Sequence, residues 1–253
     1  MPETAAPFIR IRGLTQRFGS NEVLRGIDLD IFHGETLAIL GGSGCGKSVL
    51  IKHLPGLLKP AGGSITVDGV EITGLRERQL GPIRKQMGVL FQGGALFDSL
   101  TVAGNVSFPL RESGWKDEKE IAARVAETLE IVHLSGEQEK HPPDLSGGMR
   151  KRAALARAIV HKPKCVLFDE PHTGLDPINA DAIDHLIKDL QRDHGVTNIV
   201  ITHELRSVFR VANRIAFLDQ GRIHWMGTPD ELRETQDPLL RAFIEGDSGE
   251  PWT

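Results

Sequence analysis

Tyrosine is absent from this chain of 253 residues, and cysteine occurs twice, at Cys45 and Cys165. Two cysteines are too few for a disulfide scaffold or a cysteine-rich zinc site. The ten histidines lack metal-ligand spacing with acids or cysteines, so no zinc centre is expected. A basic excess is missing as well: 30 Lys and Arg face 34 Asp and Glu, for a net charge of −4. That balance argues against a chain built mainly to grip nucleic-acid phosphates. No apolar run approaches the roughly 18 residues that a membrane span needs. Residues 1–7 hold acidic Glu3 and no apolar stretch that would read as a secretory signal. Low-complexity segments and fixed-period repeats are not seen. These absences leave the expectation of a globular, cytosolic protein of one large domain or two small ones. Its shares of hydrophobic (40%) and charged (25%) residues are ordinary.

Apolar patterning then divides the chain. Residues 8–12 alternate as a strand does, and 23–31 do so more weakly. Residues 35–40 form a nearly continuous apolar run of strand length, the mark of a strand buried on both faces. Residues 41–46 end it, and 47–54 read as a short helix. Residues 64–72 are a hairpin candidate with Asp68 and Gly69 at the turn. From about 100 to 160 the spacing turns helical, with Ile121, Val125, Leu129 and Val132 recurring about one turn apart among acids and bases. Apolar strands return at 165–168, 198–201 and 214–218, separated by helical segments, notably 181–190. Alternating strands and helices predict an α/β fold with a mostly parallel sheet covered on both faces, into which the middle helical block is inserted.

Gly41, Gly42, Ser43, Gly44, Cys45, Gly46, Lys47 and Ser48 match G-x-x-x-x-G-K-[ST] between a buried strand and a helix, the context that motif requires. Glycines there let backbone N–H groups turn inward around phosphate oxygens, and the helix N-terminus adds positive potential. Lys47 is expected to reach the β- and γ-phosphates of a nucleotide, and the Ser48 hydroxyl to ligate Mg²⁺. Cys45, at the helix start, is either an activated thiol or a small filler. The second half of the site is expected at residues 165–170. An apolar strand ending in carboxylates places Asp169 at the C-terminal edge of the sheet, where α/β folds bind ligands. Asp169 can hold Mg²⁺ through water, and Glu170 can polarise an attacking water. Up to this point a P-loop kinase and a GTPase remain open.

They lose at residues 145–149, Leu-Ser-Gly-Gly-Met. The order of phosphate loop, Gln92, this signature, apolar-Asp-Glu, Gly174-Leu175-Asp176 and His203 resembles an ABC-type ATPase over about residues 8–227. The resemblance implies a P-loop NTPase (RecA-like) core with an antiparallel β subdomain. An α-helical subdomain is inserted at about 93–160, and a C-terminal helical extension and tail covers 228–253. It implies that Phe18 stacks on adenine, where tyrosine is usual. Gln92 would join Ser48 and Asp169 at the metal and link the γ-phosphate region to the helical subdomain. His203 would be the switch histidine at the γ-phosphate, and Asp176 the dimer-loop aspartate. His172 stands where many members have threonine, and no mechanism attaches to it. The signature has a physical sense: Ser146 can cap a helix, and Gly147 and Gly148 permit close approach of an anion. Arg150, Lys151 and Arg152 then occupy the first turns, where the helix dipole disfavours cations. They read either as a solvated basic face or as facing an outside anion or acidic surface. In this family the signature of one subunit closes over ATP bound to the other, so one loop and one signature imply a homodimer with two equivalent composite sites.

ATPases of this family without a membrane segment usually dock on a separate permease. Soluble members acting on ribosomes or DNA typically carry two cassettes or a long coiled-coil insertion, and this chain has neither. A finer resemblance lies in residues 91–102, 105–112, 145–158 and 241–246, which are similar to the MlaF-type ATPases of MCE-linked lipid transport, with Met149 favoured there over Gln. The implied protein is an ATP-hydrolysing, Mg²⁺-dependent motor subunit, peripheral on the cytoplasmic face of the inner membrane. Its partners would be a second copy of itself and an MCE-linked permease, with no nucleic acid. An importer ATPase for another substrate, such as an amino acid, is the alternative. Residues 92–100 are where such ATPases receive the permease's coupling helix. Leu96 and Phe97 are expected either to meet that helix or to pack within the helical subdomain.

Overall fold

A computed structural model of the chain describes residues 6–246. In chain order, strands β1 (Ile9–Phe18), β2 (Asn21–Ile31) and β3 (Thr36–Leu40) lead into helix α1 (Lys47–His53), then β4 (Gly62–Val67) and β5 (Val70–Glu71). There follow α2 (Gly81–Lys85), β6 (Met87–Leu90), α3 (Val102–Glu112), α4 (Glu118–Ile131), α5 (Gly147–Ile159), β7 (Cys165–Asp169), α6 (Pro177–His194) and β8 (Thr197–Ile201). The chain closes with α7 (Leu205–Val211), β9 (Arg214–Asp219), β10 (Arg222–Gly227), α8 (Pro229–Arg233) and α9 (Pro238–Glu245). These elements form two compact units, one from the chain up to Arg76 and from Ile201 on, the other from Glu77 to Val200.

In the first unit, an antiparallel sheet has the order β2-β1-β4-β5. Ile9 lies opposite Ile31 on one side and Val67 on the other, so the two-residue alternation of β1 sends Ile9 and Ile11 into the core. Arg12 points the other way and meets Asp30 at 2.7 Å. The turn between β4 and β5 has positive φ at both Asp68 (48°) and Gly69 (79°), the handedness that two-residue hairpins favour. All five residues of β3 are buried, and the strand runs parallel to β9, which pairs antiparallel with β10. Leu40, Val208, Phe217, Leu232 and Leu240 form a core joining these strands to α7, α8 and α9. The Asp237 side chain caps α9 by accepting from the amides of Leu239 (2.9 Å) and Leu240 (3.1 Å). Its other oxygen lies 2.8 Å from His224 Nε2 on β10.

In the second unit, β6 runs parallel to β7, with Met87 opposite Cys165 and Leu90 opposite Phe168, and β8 is the next strand beyond β7. Gly88 of β6 lies against α5, where a Cβ would come within 2.4 Å of the Ala158 carbonyl oxygen. Residues 91–164 contain helices and loops and no strand. Asp117 caps α4 through the amides of Lys119 and Glu120, and Ile121, Val125 and Leu129 make its buried face. Helix α6 begins ahead of the apolar stretch at 181–190, because Asp176 caps it and Pro177 occupies its first turn. The 247–253 part of the expected tail lies outside the described residues.

Candidate functional site

The phosphate loop leaves β3 at Gly41, whose φ is 150°; a Cβ there would sit 2.1 Å from the Leu218 carbonyl oxygen. Glycine alone lets the loop start so close to β9. Lys47 opens α1, is buried, and donates to the carbonyls of Gly41 (2.8 Å) and Gly42 (2.9 Å). Gly42, Ser43, Gly44 and Ser48 are exposed, and nothing lies within 4 Å of a Cβ built at Gly42 or Gly44. An ammonium, a hydroxyl and open backbone amides are a donor set that fits phosphate oxygens. Burial pushes the Cys45 thiol up, more than the nearby Lys47 charge pulls it down. Cys45 packs where Gly41 leaves room, its sulfur 2.8 Å from the position of a Cβ there, as a small filler would. Phe18, at the end of β1, is half exposed, as stacking on a base requires. His203 follows β8 with its ring exposed, Nε2 3.8 Å from Glu204.

In the second unit, β7 delivers Asp169, buried, at its C-terminal end. Glu170 then turns sharply, with φ 49°, an uncommon conformation for a residue with a Cβ. The amides of Thr173 and Leu175 bond back to the carbonyls of Glu170 (3.3 Å) and His172 (3.0 Å). The turn leads to Asp176, which caps α6 through the amides of Ile178 (2.9 Å) and Asn179 (3.0 Å). Backbone and side-chain hydrogen bonds from Asn179 hold the Asp176 carboxyl below the usual carboxylate range. His172 is buried with Nε2 2.8 Å from Asp184 Oδ1, itself buried on α6. The residue without an assigned role therefore ties the segment after Glu170 to α6.

Ser146 caps α5, its hydroxyl accepting from the Met149 amide at 3.2 Å. At Gly148 a Cβ would come within 2.0 Å of Asn179 Oδ1, so the signature packs directly on the start of α6. The basic residues that follow differ from one another: Arg150 is exposed and lines a cleft, as a solvated or anion-facing cation would, whereas Lys151 is buried and Arg152 half-buried. Arg150 donates to the Leu145 carbonyl (3.1 Å), and Arg152 to that of His133 (2.8 Å). Lys151 is buried and donates to the Gln92 carbonyl. All three donate to main-chain oxygens of the same unit, and the buried run 153–156 leaves the next turn of α5 little solvent face. Burial pushes the Lys151 ammonium below the usual lysine range, against the opposing pull of Asp169 and Glu170. Gln92 is exposed and, with Leu96, Pro142, Gly147, Lys151 and Leu175, lines a cleft of about 610 Å³. Ser146, Asp169 and Glu170 are not among its lining residues.

Among the described residues no three His, Cys, Asp or Glu side chains cluster as a metal site. The ABC transporter family profile matches residues 24–173. Over 238 residues the chain is 42% identical to the probable ribonucleotide transport ATP-binding protein mkl of Mycobacterium leprae, covering 94% of this chain and 69% of that protein. It is 40% identical over 243 residues to the methionine import ATP-binding protein MetN 2 of Rhodococcus jostii (94% and 71%). It is 39% identical over 243 residues to the intermembrane phospholipid transport system ATP-binding protein MlaF of Haemophilus influenzae (96% and 92%). Among solved structures, the dimeric ATP-binding cassette MJ0796 bound to ADP and Pi matches with a TM-score of 0.81 and 30% identity, over 87% of this chain and 98% of that one.

Proposed function

Since the chain belongs to the ABC transporter family, we propose that it drives phospholipid transport between bacterial membranes as the motor subunit paired with an MCE-linked permease. It is an ABC ATPase cassette of the MlaF-like kind, and it hydrolyses ATP. The observation carrying the lipid reading is the span of the likeness to MlaF, 92% of that protein's length against 69% for mkl and 71% for MetN 2. The identity to MetN 2, 40% against 39% for MlaF, favours a second reading, an amino-acid importer.

In this proposal the loop amides and Lys47 hold the β- and γ-phosphates, and Phe18 stacks on adenine. Ser48, Asp169 and Gln92 would hold Mg²⁺, which would supply charge neutralisation on the phosphates. Glu170 polarises the attacking water and takes its proton, while His203 and Gln92 face the γ-phosphate. Ser146, Gly147, Gly148 and Asp176 complete the site of a second copy, a reading supported by the likeness to a dimeric cassette. The permease contact is drawn from Phe97, 44% exposed, whose ring lies 4.9 Å from that of the also exposed Phe108. An aromatic pair left outside the core suits a short cytoplasmic helix of the permease. Among the described residues no helix is long and apolar enough to cross a membrane, so the reading places the chain on the inner membrane through that partner. The test is to purify the chain with its permease and identify the bound molecule by mass spectrometry. A phospholipid supports the reading, and an amino acid overturns it.

A further inference from the structure

We propose that Lys151 and Arg157 of α5 are positioning residues for ATP hydrolysis, gripping the main chain of the 92–95 loop so that Gln92 and the helix opened by Ser146 move as one piece. The inference rests on the role given above to Gln92. Three of the four carbonyls in this loop are taken by the two cations. Lys151 donates to Gln92, and Arg157 donates to Gly94 (2.9 Å) and Ala95 (2.6 Å). Between them on the helix, Ala154 lies where a Cβ at Gly94 would be 3.4 Å from its own. Residues 151, 154 and 157 recur at three-residue steps, so the loop lies along one flank of α5.

Ordinary loop packing does not require this. Burying a charge is costly unless it is well paired, yet Lys151 is buried and Arg157 half-buried, and the hydrogen bonds they make are to main-chain carbonyls. Hydrogen bonds from charged donors are the strong ones, and here they are spent on a segment that no strand or helix holds. The loop also keeps Ala95 at φ 51°, a conformation a side chain resists, so something must hold it there.

The experiment uses the full-length chain with ATP and Mg²⁺, and compares Lys151→Met, Lys151→Arg, Arg157→Lys, Gln92→Ala and the double variant Gln92→Ala/Lys151→Met. Lys151→Met is expected to lower kcat about tenfold with KM for ATP changed less than about twofold. Its melting temperature should stay near that of the parent, and Lys151→Arg should recover most of the rate. The double variant should be no slower than Gln92→Ala, because both act through one residue. Hydrogen exchange read by mass spectrometry should quicken at residues 91–97 in Lys151→Met and, less, in Arg157→Lys, which keeps the charge but loses the fork. Parental kcat and exchange in both, or rate losses that multiply in the double variant, would overturn the grip. A parental kcat in Gln92→Ala would instead overturn the role given to Gln92, while the exchange data still report on the grip.

Discussion

Lys47 and Lys151 are both buried lysines whose ammonium groups are held by main-chain carbonyls, one in each compact unit, and they reach those carbonyls differently. Lys47 folds back on oxygens six and five residues behind it. Lys151 reaches an oxygen 59 residues away. A cation whose acceptors lie within its own loop can exchange those carbonyls for a ligand's oxygens without disturbing anything else. A cation that ties a helix to a distant loop cannot let go without freeing both. The first geometry suits binding, and the second suits transmission.

The largest effect should come from the local lysine. Lys47→Ala is expected to abolish ATP binding and reduce hydrolysis to background. Glu170→Gln should bind ATP normally and turn over at least about 100-fold more slowly. Nucleotide titration and phosphate release measured side by side separate binding from chemistry, and normal turnover in Glu170→Gln would remove it as the base. Ser146→Arg carries the comparison from within a subunit to between subunits. It should leave ATP affinity of the single chain nearly intact yet stop hydrolysis by the homodimer. Mixing it with Lys47→Ala chains gives one site with both defects and one with neither, so partial recovery of activity is expected. Full activity of the Ser146→Arg homodimer would mean that each subunit is catalytically complete.

A smaller effect is expected at the exposed aromatic pair. Phe97→Asp should weaken capture of the permease in a pull-down while leaving the melting temperature and ATP affinity of the isolated chain in place. A marked loss of melting temperature would instead make Phe97 a packing residue. The smallest effect concerns α9. His224 first, and then the amides of Leu240 and Leu239, hold the Asp237 carboxyl below the usual carboxylate range. A carboxylate depressed in the folded state gives stability that is fully present above its unfolded value and is lost as pH falls through the folded one. The melting difference between parent and Asp237→Asn should therefore shrink as pH falls through the folded carboxylate value and vanish in acid. A difference that persists in acid would remove the cap as its source.

The strand, loop and helix start at 36–48 were legible because the motif is contiguous: the buried run 35–40 announces the strand, and the glycines and Lys47 follow at once. The placement of Asp169 and Glu170 was legible for the same reason, at the end of an equally apolar β7. Strands β6 and β10 escaped notice. The first has four residues, and the second has no residue that is fully buried, so neither shows a strong apolar period. The inward course of Lys151 was hidden by its charge, although Ala153, Ala154, Leu155 and Ala156 mark a helix with almost no outer face. The pairing of His172 with Asp184 could not be read at all, since spacing of 12 residues between a loop and a helix follows no local period.

The close seat of Gly94 against Ala154 has a consequence for engineering. On the permease contact proposed above, grafting a foreign 92–100 segment would change more than a docking surface. The graft must keep glycine at 94, whose φ of 73° a side chain resists, and it must offer its carbonyls where the Arg157 fork can reach them. A chimera that moves the segment alone will assemble and idle unless the helix from 147 to 157 travels with it.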